Sequence, residues 1–183
     1  MSLTPGEIEL FETALTPAIL DLAWRYSYRL SKTREDAEDL LQDALAHAIT
    51  RIGQLRDLTR FRSWLMSIVR TRFLMQRRRN TAENYVIHDR EHDLSQRLAD
   101  TSVDADTDLL VETTRCALKR LAGEQREILS LFYIDGLSLI ETGEVLGISQ
   151  SAVRSRLFRA RGALRRELNQ LSPAGLVGLL QEG

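Results

Sequence analysis

Side chains that do catalytic or metal chemistry are sparse in this chain of 183 residues, which holds three histidines, His47, His88 and His92, and one cysteine, Cys116. A single thiol cannot make an internal disulfide framework or a thiolate zinc cage, and this usage fits a reducing, cytoplasmic setting. His88 and His92 stand four apart beside Asp89 and Asp93. That spacing would put two imidazoles on one helix face for a metal, but in a polar, aperiodic stretch it reads first as a solvated pair. Cys116 falls within a helical apolar pattern and reads as packing. No glycine-rich phosphate loop and no nucleophile–base pair is present. The expectation is a protein with no enzymatic activity, no metal and no cofactor.

Arginine is what the chain has in abundance: 23 of its 25 basic side chains are Arg, and a net charge of −1 conceals their segregation. Residues 51–80 carry nine arginines against Asp57, and residues 150–168 carry six against Glu167. Between them, residues 83–112 carry nine acids against Arg90 and Arg97. Two basic blocks around an acidic one imply two contacts with a polyanion and a middle that avoids it. The planar fork of Arg suits phosphates and guanine edges.

The elements that must position these arginines are helical. Proline occurs only at positions 5, 17 and 173, so the strongest helix breaker is missing from the interior. Ile19, Leu22, Ala23, Tyr26 and Leu30 mark one helix by their i, i+3/i+4 spacing. Leu40, Leu41, Ala44, Leu45, Ala48, Ile49 and Ile52 mark a second; Phe61, Trp64, Leu65, Ile68, Val69 and Phe73 mark a third. Thr33 with Asp36 opens the second as a capping box, with Gly53 as its stop. Strand alternation is nowhere sustained. The chain reads as all-α: two small helical domains, 1–80 and 107–183, joined by an acidic flexible linker over 81–106. Apolar runs are too short for membrane insertion, and the start lacks signal-peptide character.

Residues 138–168 are the most informative. Ser138 and Glu141 form a capping box for a short helix through Leu146. Gly147-Ile148-Ser149 is a tight turn with Ser149 capping the next helix. That helix buries Val153, Leu157, Ala160 and Leu164 and turns outward Arg154, Ser155, Phe158, Arg159, Arg161 and Arg165. Gly143 lies where the two helices approach closely. This is a helix-turn-helix with a basic recognition helix.

The stretch Gly147-Ile-Ser-Gln-Ser-Ala-Val-Arg-Ser-Arg-Leu-Phe-Arg-Ala-Arg161, preceded by Leu121-Ala-Gly-Glu-Gln-Arg-Glu-Ile-Leu129, resembles region 4 of the extracytoplasmic-function (ECF) sigma factors. Asp36-Ala-Glu-Asp-Leu-Leu-Gln-Asp-Ala-Leu45, followed by Phe61-Arg-Ser-Trp-Leu-Met-Ser-Ile-Val-Arg70, resembles their region 2. Together these cover about residues 10–80 and 108–168 in the family's order. The resemblance implies a promoter-recognition subunit of RNA polymerase core. The acidic face of the first motif, Asp36, Glu38, Asp39, Gln42 and Asp43, would dock on the β′ clamp, with the β subunit also contacted. Arg60, Phe61, Arg62, Trp64, Arg70 and Thr71 would capture the melted −10 strand, with Arg77 and Arg78 on phosphates; Trp64 and Phe73 also lie on the apolar stripe. Arg154, Ser155, Phe158 and Arg159 would read the −35 duplex, with Ser149, Arg156 and Arg161 on its phosphates. An anti-sigma factor is the implied regulatory partner. The chain departs from the family pattern at Thr71, where many relatives have Asn, and at Thr142-Gly143, where they have Ile-Ala.

Promoter elements about 25 base pairs apart are separated by roughly 85 Å. A linker of about 26 residues averages about 30 Å as a coil and reaches about 90 Å extended, so it must be drawn out in the working complex. A sigma-like decoy that only sequesters an anti-sigma factor would degrade the basic blocks, and both are retained. A repressor using only the helix-turn-helix would leave the first motif unexplained.

Overall fold

The computed structural model describes residues 3–79 and 105–171, with backbone alone for 105–110. All regular structure among them is helical. The first unit holds α1 (Pro5–Ala14), α2 (Pro17–Leu30), α3 (Arg34–Ile49) and α4 (Phe61–Arg79). The second holds α5 (Ala105–Arg120), α6 (Gly123–Leu129), α7 (Leu139–Leu146) and α8 (Gln150–Leu171). The linker, including His88 and His92, and the apolar tail after Pro173 lie outside the described residues, except that α5 starts at Ala105, inside the span read as linker.

Local chemistry starts these helices where the sequence places the signals. In α3 the Asp36 amide donates to Thr33 Oγ1 and the Thr33 amide to Asp36 Oδ2, both at 3.0 Å. Ser138 and Glu141 make the same reciprocal pair, at 2.8 and 3.2 Å. A third box, Thr4 with Glu7 and Pro5 in the first turn, starts α1, a helix that apolar periodicity alone does not reveal. Each box satisfies two otherwise orphaned amides, and each cap residue contributes about 1 kcal/mol.

Gly53 does not stop α3. The helix ends at Ile49, and Gly53 sits in a single 3-10 turn, Ile52–Gln54. A Cβ there would meet only the end of the Glu7 side chain, with Oε1 at 3.0 Å. Gly147 does end α7 in the left-handed region, at φ 68°, where a side chain is strained.

Helices α2, α3 and α4 pack together, with α1 against α3 and the 3-10 turn; α5, α6 and α7 each pack on α8. Leu40, Ala44, Leu65 and Val69 are fully buried in the first unit, as are Leu131, Val153 and Ala160 in the second. The two units are not separate bodies on a string, because α4 also packs directly against α7 and the buried apolar side chains form one contiguous cluster.

Beyond α6 the chain widens into a π-type turn, Ser130–Ile134, closed by the Asp135 amide on the Ser130 carbonyl at 2.9 Å. This turn delivers the buried Asp135 carboxylate to Arg29 of α2. Nearby, the Arg126 guanidinium donates to the carbonyls of Leu118, Lys119 and Leu121 at 3.0, 2.8 and 3.2 Å. It thereby satisfies the C-terminal end of α5, whose last carbonyls have no partner within the helix.

Candidate nucleic-acid and polymerase interface

Three surfaces carry the residues singled out from the sequence. The first is the outer face of α3, where Asp36, Glu38, Asp39 and Gln42 are exposed opposite the buried Ala37, Leu40, Ala44 and Ala48. Glu38 pairs with Arg34 at 2.9 Å, and the Asp36 carboxylate belongs to the capping box. Asp43 continues this side of the helix, one turn beyond Asp39, and is partly exposed. It turns toward α4 and makes a two-pronged ion pair with Arg72, at 2.6 and 2.7 Å. Next to this pair, His47 is held below its ordinary imidazole range by burial and by Arg51 and Arg72, against the opposing pull of Asp43.

The second surface is the turn before α4 and the face of that helix. Phe61, expected among the base-capturing residues, is 1% exposed and stacks edge-on against Phe11 with centroids 5.7 Å apart. It is a core residue, because the apolar stripe and the aromatic signal coincide at its position. Trp64 is half-buried: one side packs on the core, 5.8 Å from the Phe61 ring, and the other lines a surface cavity of about 310 Å³. That cavity lies between the Gln54–Asp57 loop and Arg60, Trp64 and Ser67, with Glu144 of α7 as part of its wall. Asp57 braces the loop by accepting from the Thr59 amide and hydroxyl, at 3.0 and 2.6 Å. Thr71 is exposed and spends its hydroxyl proton on the Ser67 carbonyl at 2.8 Å. Arg77 lies over the Phe73 ring at 5.9 Å; Arg78 and Arg79 are exposed.

The arginines of this surface are engaged by carboxylates of the second unit. Arg60 pairs with Glu144, which also accepts from the Ser63 hydroxyl. Arg62 pairs with Glu141 at 3.0 Å and donates to the Gly136 carbonyl at 2.8 Å. Arg70 pairs with the buried Glu127 at 3.0 Å, and the Tyr26 hydroxyl donates to the same carboxylate at 2.7 Å. Burial pushes the Glu141 carboxyl up, but the Ser138 amide and hydroxyl and the Arg62 guanidinium together hold it below its ordinary value. Glu127, Asp135, Glu141 and Glu144 were not expected to face the first unit. Only the capping role of Glu141 is visible locally, since no short-range signal names a partner 57 to 106 residues away.

The third surface is α8. Val153, Leu157 and Ala160 are buried, while Arg154, Ser155, Phe158, Arg159 and Arg161 are exposed and Arg156 is intermediate. Phe158 is 74% exposed, a large apolar ring held in solvent between basic neighbours. Ser149 caps the helix, accepting from the Ala152 amide at 3.3 Å. At Gly143 a Cβ would lie 2.7 Å from the Ile148 carbonyl, so the close approach expected there is real. Thr142 is fully buried, with its hydroxyl unpartnered among the described residues. Cys116 is half-buried, its thiol 3.5 Å from Glu112 Oε1. No helix among the described residues is long and apolar enough to cross a membrane.

A helical unit with an acidic outer helix and a basic turn, joined to a helix-turn-helix with an Arg- and Phe-bearing recognition face, defines a two-part helical DNA-binding protein. Residues 18–83 match the family described as Sigma-70 region 2, and residues 117–166 match Sigma-70, region 4. The ECF RNA polymerase sigma factor SigL of Mycobacterium tuberculosis is 31% identical over 165 residues, covering 87% of this chain and 92% of that protein. SigW of Bacillus subtilis is 31% identical over 160 residues, covering 82% and 85%. A probable RNA polymerase sigma factor, RfaY of Xanthomonas campestris, is 35% identical over 155 residues, but this chain spans only 36% of its length. Among solved structures, the sigma factor RpoE of Bartonella quintana, in complex with the anti-sigma factor NepR, superposes with a TM-score of 0.59 at 25% identity, covering 82% of this chain and 92% of that one. CnrH, bound to the cytosolic domain of CnrY, shares the fold at a TM-score of 0.52, with 85% and 82% covered. The chain belongs to the ECF sigma factor family.

Proposed function

We propose that this sigma factor divides its work between the two units, residues 1–80 and 107–183, across the 81–106 linker. The exposed acids of α3 (Asp36, Glu38, Asp39) and Gln42 dock on RNA polymerase core through a basic partner surface, where charge complementarity speeds association. Arg60 in the turn before α4, with Arg62, Trp64, Arg70 and Thr71 on the helix itself, captures unstacked bases of the melted −10 strand, while Arg77 and Arg78 hold phosphates. On the second unit, Arg154 and Arg159 fork onto base edges of the −35 duplex, Phe158 meets a thymine methyl and Ser155 completes the contact. Ser149, Arg156 and Arg161 hold the backbone. The protein supplies recognition and no bond-making chemistry, and an anti-sigma factor restrains it.

The observation that carries this reading is the outward face of α8. Phe158 is held 74% exposed between exposed Arg154 and Arg159 on a helix whose opposite stripe buries Val153, Leu157 and Ala160. Exposing a ring that size costs burial energy of about 2 kcal/mol, and groove contact is what gives the exposure a use. The test is transcription with purified core polymerase, lacking other sigma factors, on a fragmented genomic library. Start sites that appear only with this protein and share two motifs at fixed spacing are the expected result. Folded protein that neither binds core nor initiates would refute it.

A further inference from the structure

We propose that Gly162 of α8 is a seat for a backbone phosphate of duplex DNA, held between Arg161 and Arg166 one turn beyond the base-reading residues. The inference rests on the −35 role proposed above for α8. Residues three and four apart share a helix face, so Gly162 is bordered by Phe158 and Arg159 on one side and by Arg165 and Arg166 on the other. Arg161 adjoins it in sequence. All five of these residues are exposed, and at their centre the helix carries no side chain. A Cβ on Gly162 would meet only Arg166 Nη1, at 3.9 Å. The Arg166 guanidinium therefore reaches back along the helix to the edge of a bare patch and leaves the space above it open.

The charge around this patch is unmatched. Among the described residues no carboxylate pairs with Arg159, Arg161 or Arg166. Glu167, the one acid of residues 150–168, turns away to Arg120 of α5 at 3.8 Å. Guanidinium forks suit phosphate oxygens, and such charge-assisted bonds are the strong ones. The glycine itself has no internal use. It weakens the helix, its backbone is not in the left-handed region, and no packed neighbour excludes a side chain there. Close approach of another molecule's backbone is the use that remains. Placement agrees with this. Gly162 lies eight residues beyond Arg154, about 12 Å along the axis, and the major groove is about 12 Å wide. A helix with Arg154 over base edges thus brings Gly162 to the strand that bounds the groove. This continuity with the reading face favours DNA over an acidic protein segment as the occupant.

The test is binding of the full chain to a short mixed-sequence DNA duplex, followed by fluorescence anisotropy over a salt series, because a phosphate contact needs no particular sequence. R166Q is expected to lower the slope of log affinity against log salt by about 0.9, and the affinity about eightfold near 0.1 M salt, the share of one phosphate contact. G162L fills the notch without changing the charge and is expected to lower the slope at least as much. G162A, which strengthens the helix, is expected to weaken binding in the same direction, so loss of binding is separable from loss of fold. R34Q, removing an exposed arginine from α3, is expected to change neither slope nor affinity. A G162L slope equal to that of the unsubstituted chain means the arginines act as diffuse charge and overturns the seat, as does an R34Q loss equal to that of R166Q. R154Q separates the seat from the reading beneath it. If R154Q weakens binding while R166Q and G162L do not, the seat is overturned and α8 remains a duplex reader. If none of the three weakens binding, the duplex role of α8 fails and the seat fails with it.

Discussion

Replacing Arg126 with Met tests whether a buried guanidinium holds the second unit together. Met keeps much of the stem's volume and removes three donors. Of the three carbonyls involved, that of Leu118 retains the Leu121 amide at 3.1 Å. The Lys119 carbonyl lies at the exposed end and turns to water. The Leu121 carbonyl, on a residue 6% exposed, is left in the core. One buried orphan costs about 1–3 kcal/mol, and the lost charge-assisted bonds add about 1 kcal/mol more. The expected loss is therefore about 2–4 kcal/mol, measured by urea unfolding of the full chain followed by far-UV circular dichroism. Arg126→Lys should recover only part of it, because an ammonium lacks the planar fork that reaches three carbonyls at once. A cost under about 1 kcal/mol for R126M, or full recovery by R126K, would refute this account of how α5 is terminated.

Four further outcomes follow from local geometry. Thr142→Val removes a buried hydroxyl with no partner among the described residues, at nearly constant volume and helix propensity, so thermal unfolding should show a gain of about 1 kcal/mol. Gly162 has open space, since a Cβ there would meet nothing nearer than Arg166 Nη1 at 3.9 Å, and Gly162→Ala should stabilise by about 0.5–1 kcal/mol. Gly143→Ala meets a backbone oxygen at 2.7 Å and should destabilise by about 1–2 kcal/mol despite better propensity; equal signs for the two would contradict the close approach. Glu141 is held below its ordinary 4.5 in the folded chain. Its stabilising contribution is therefore present above that value and lost as pH falls through the lower folded one. Stability should drop over that acid range, and Glu141→Gln, which can retain the capping geometry, should flatten the drop; an unaltered profile would remove Glu141 as its source.

Much of this protein is written in short-range terms. Capping boxes at Thr33–Asp36 and Ser138–Glu141, the left-handed Gly147 and the buried stripe of α8 all appear where residue spacing puts them. Each depends on atoms within about one helical turn, so the local sequence suffices to determine it. The same periodicity sorted Arg154, Phe158 and Arg159 outward on α8 and left Phe61 ambiguous. An aromatic on an apolar stripe satisfies core and base-stacking signals alike, and only packing against Phe11 decides for the core.

What the tertiary structure alone decided is where the charges go. Asp43 shares a side of α3 with Asp36 and Asp39, yet its carboxylate is taken by Arg72, 29 residues away. Arg60, Arg62 and Arg70 read from the sequence as contacts for a melted DNA strand, yet they meet Glu144, Glu141 and Glu127 across the joint between the units. A charge pattern says that a partner of opposite sign is wanted, but Coulomb attraction carries no address. The apolar packing of α4 on α7 chooses which carboxylates arrive, and that choice follows from the whole fold.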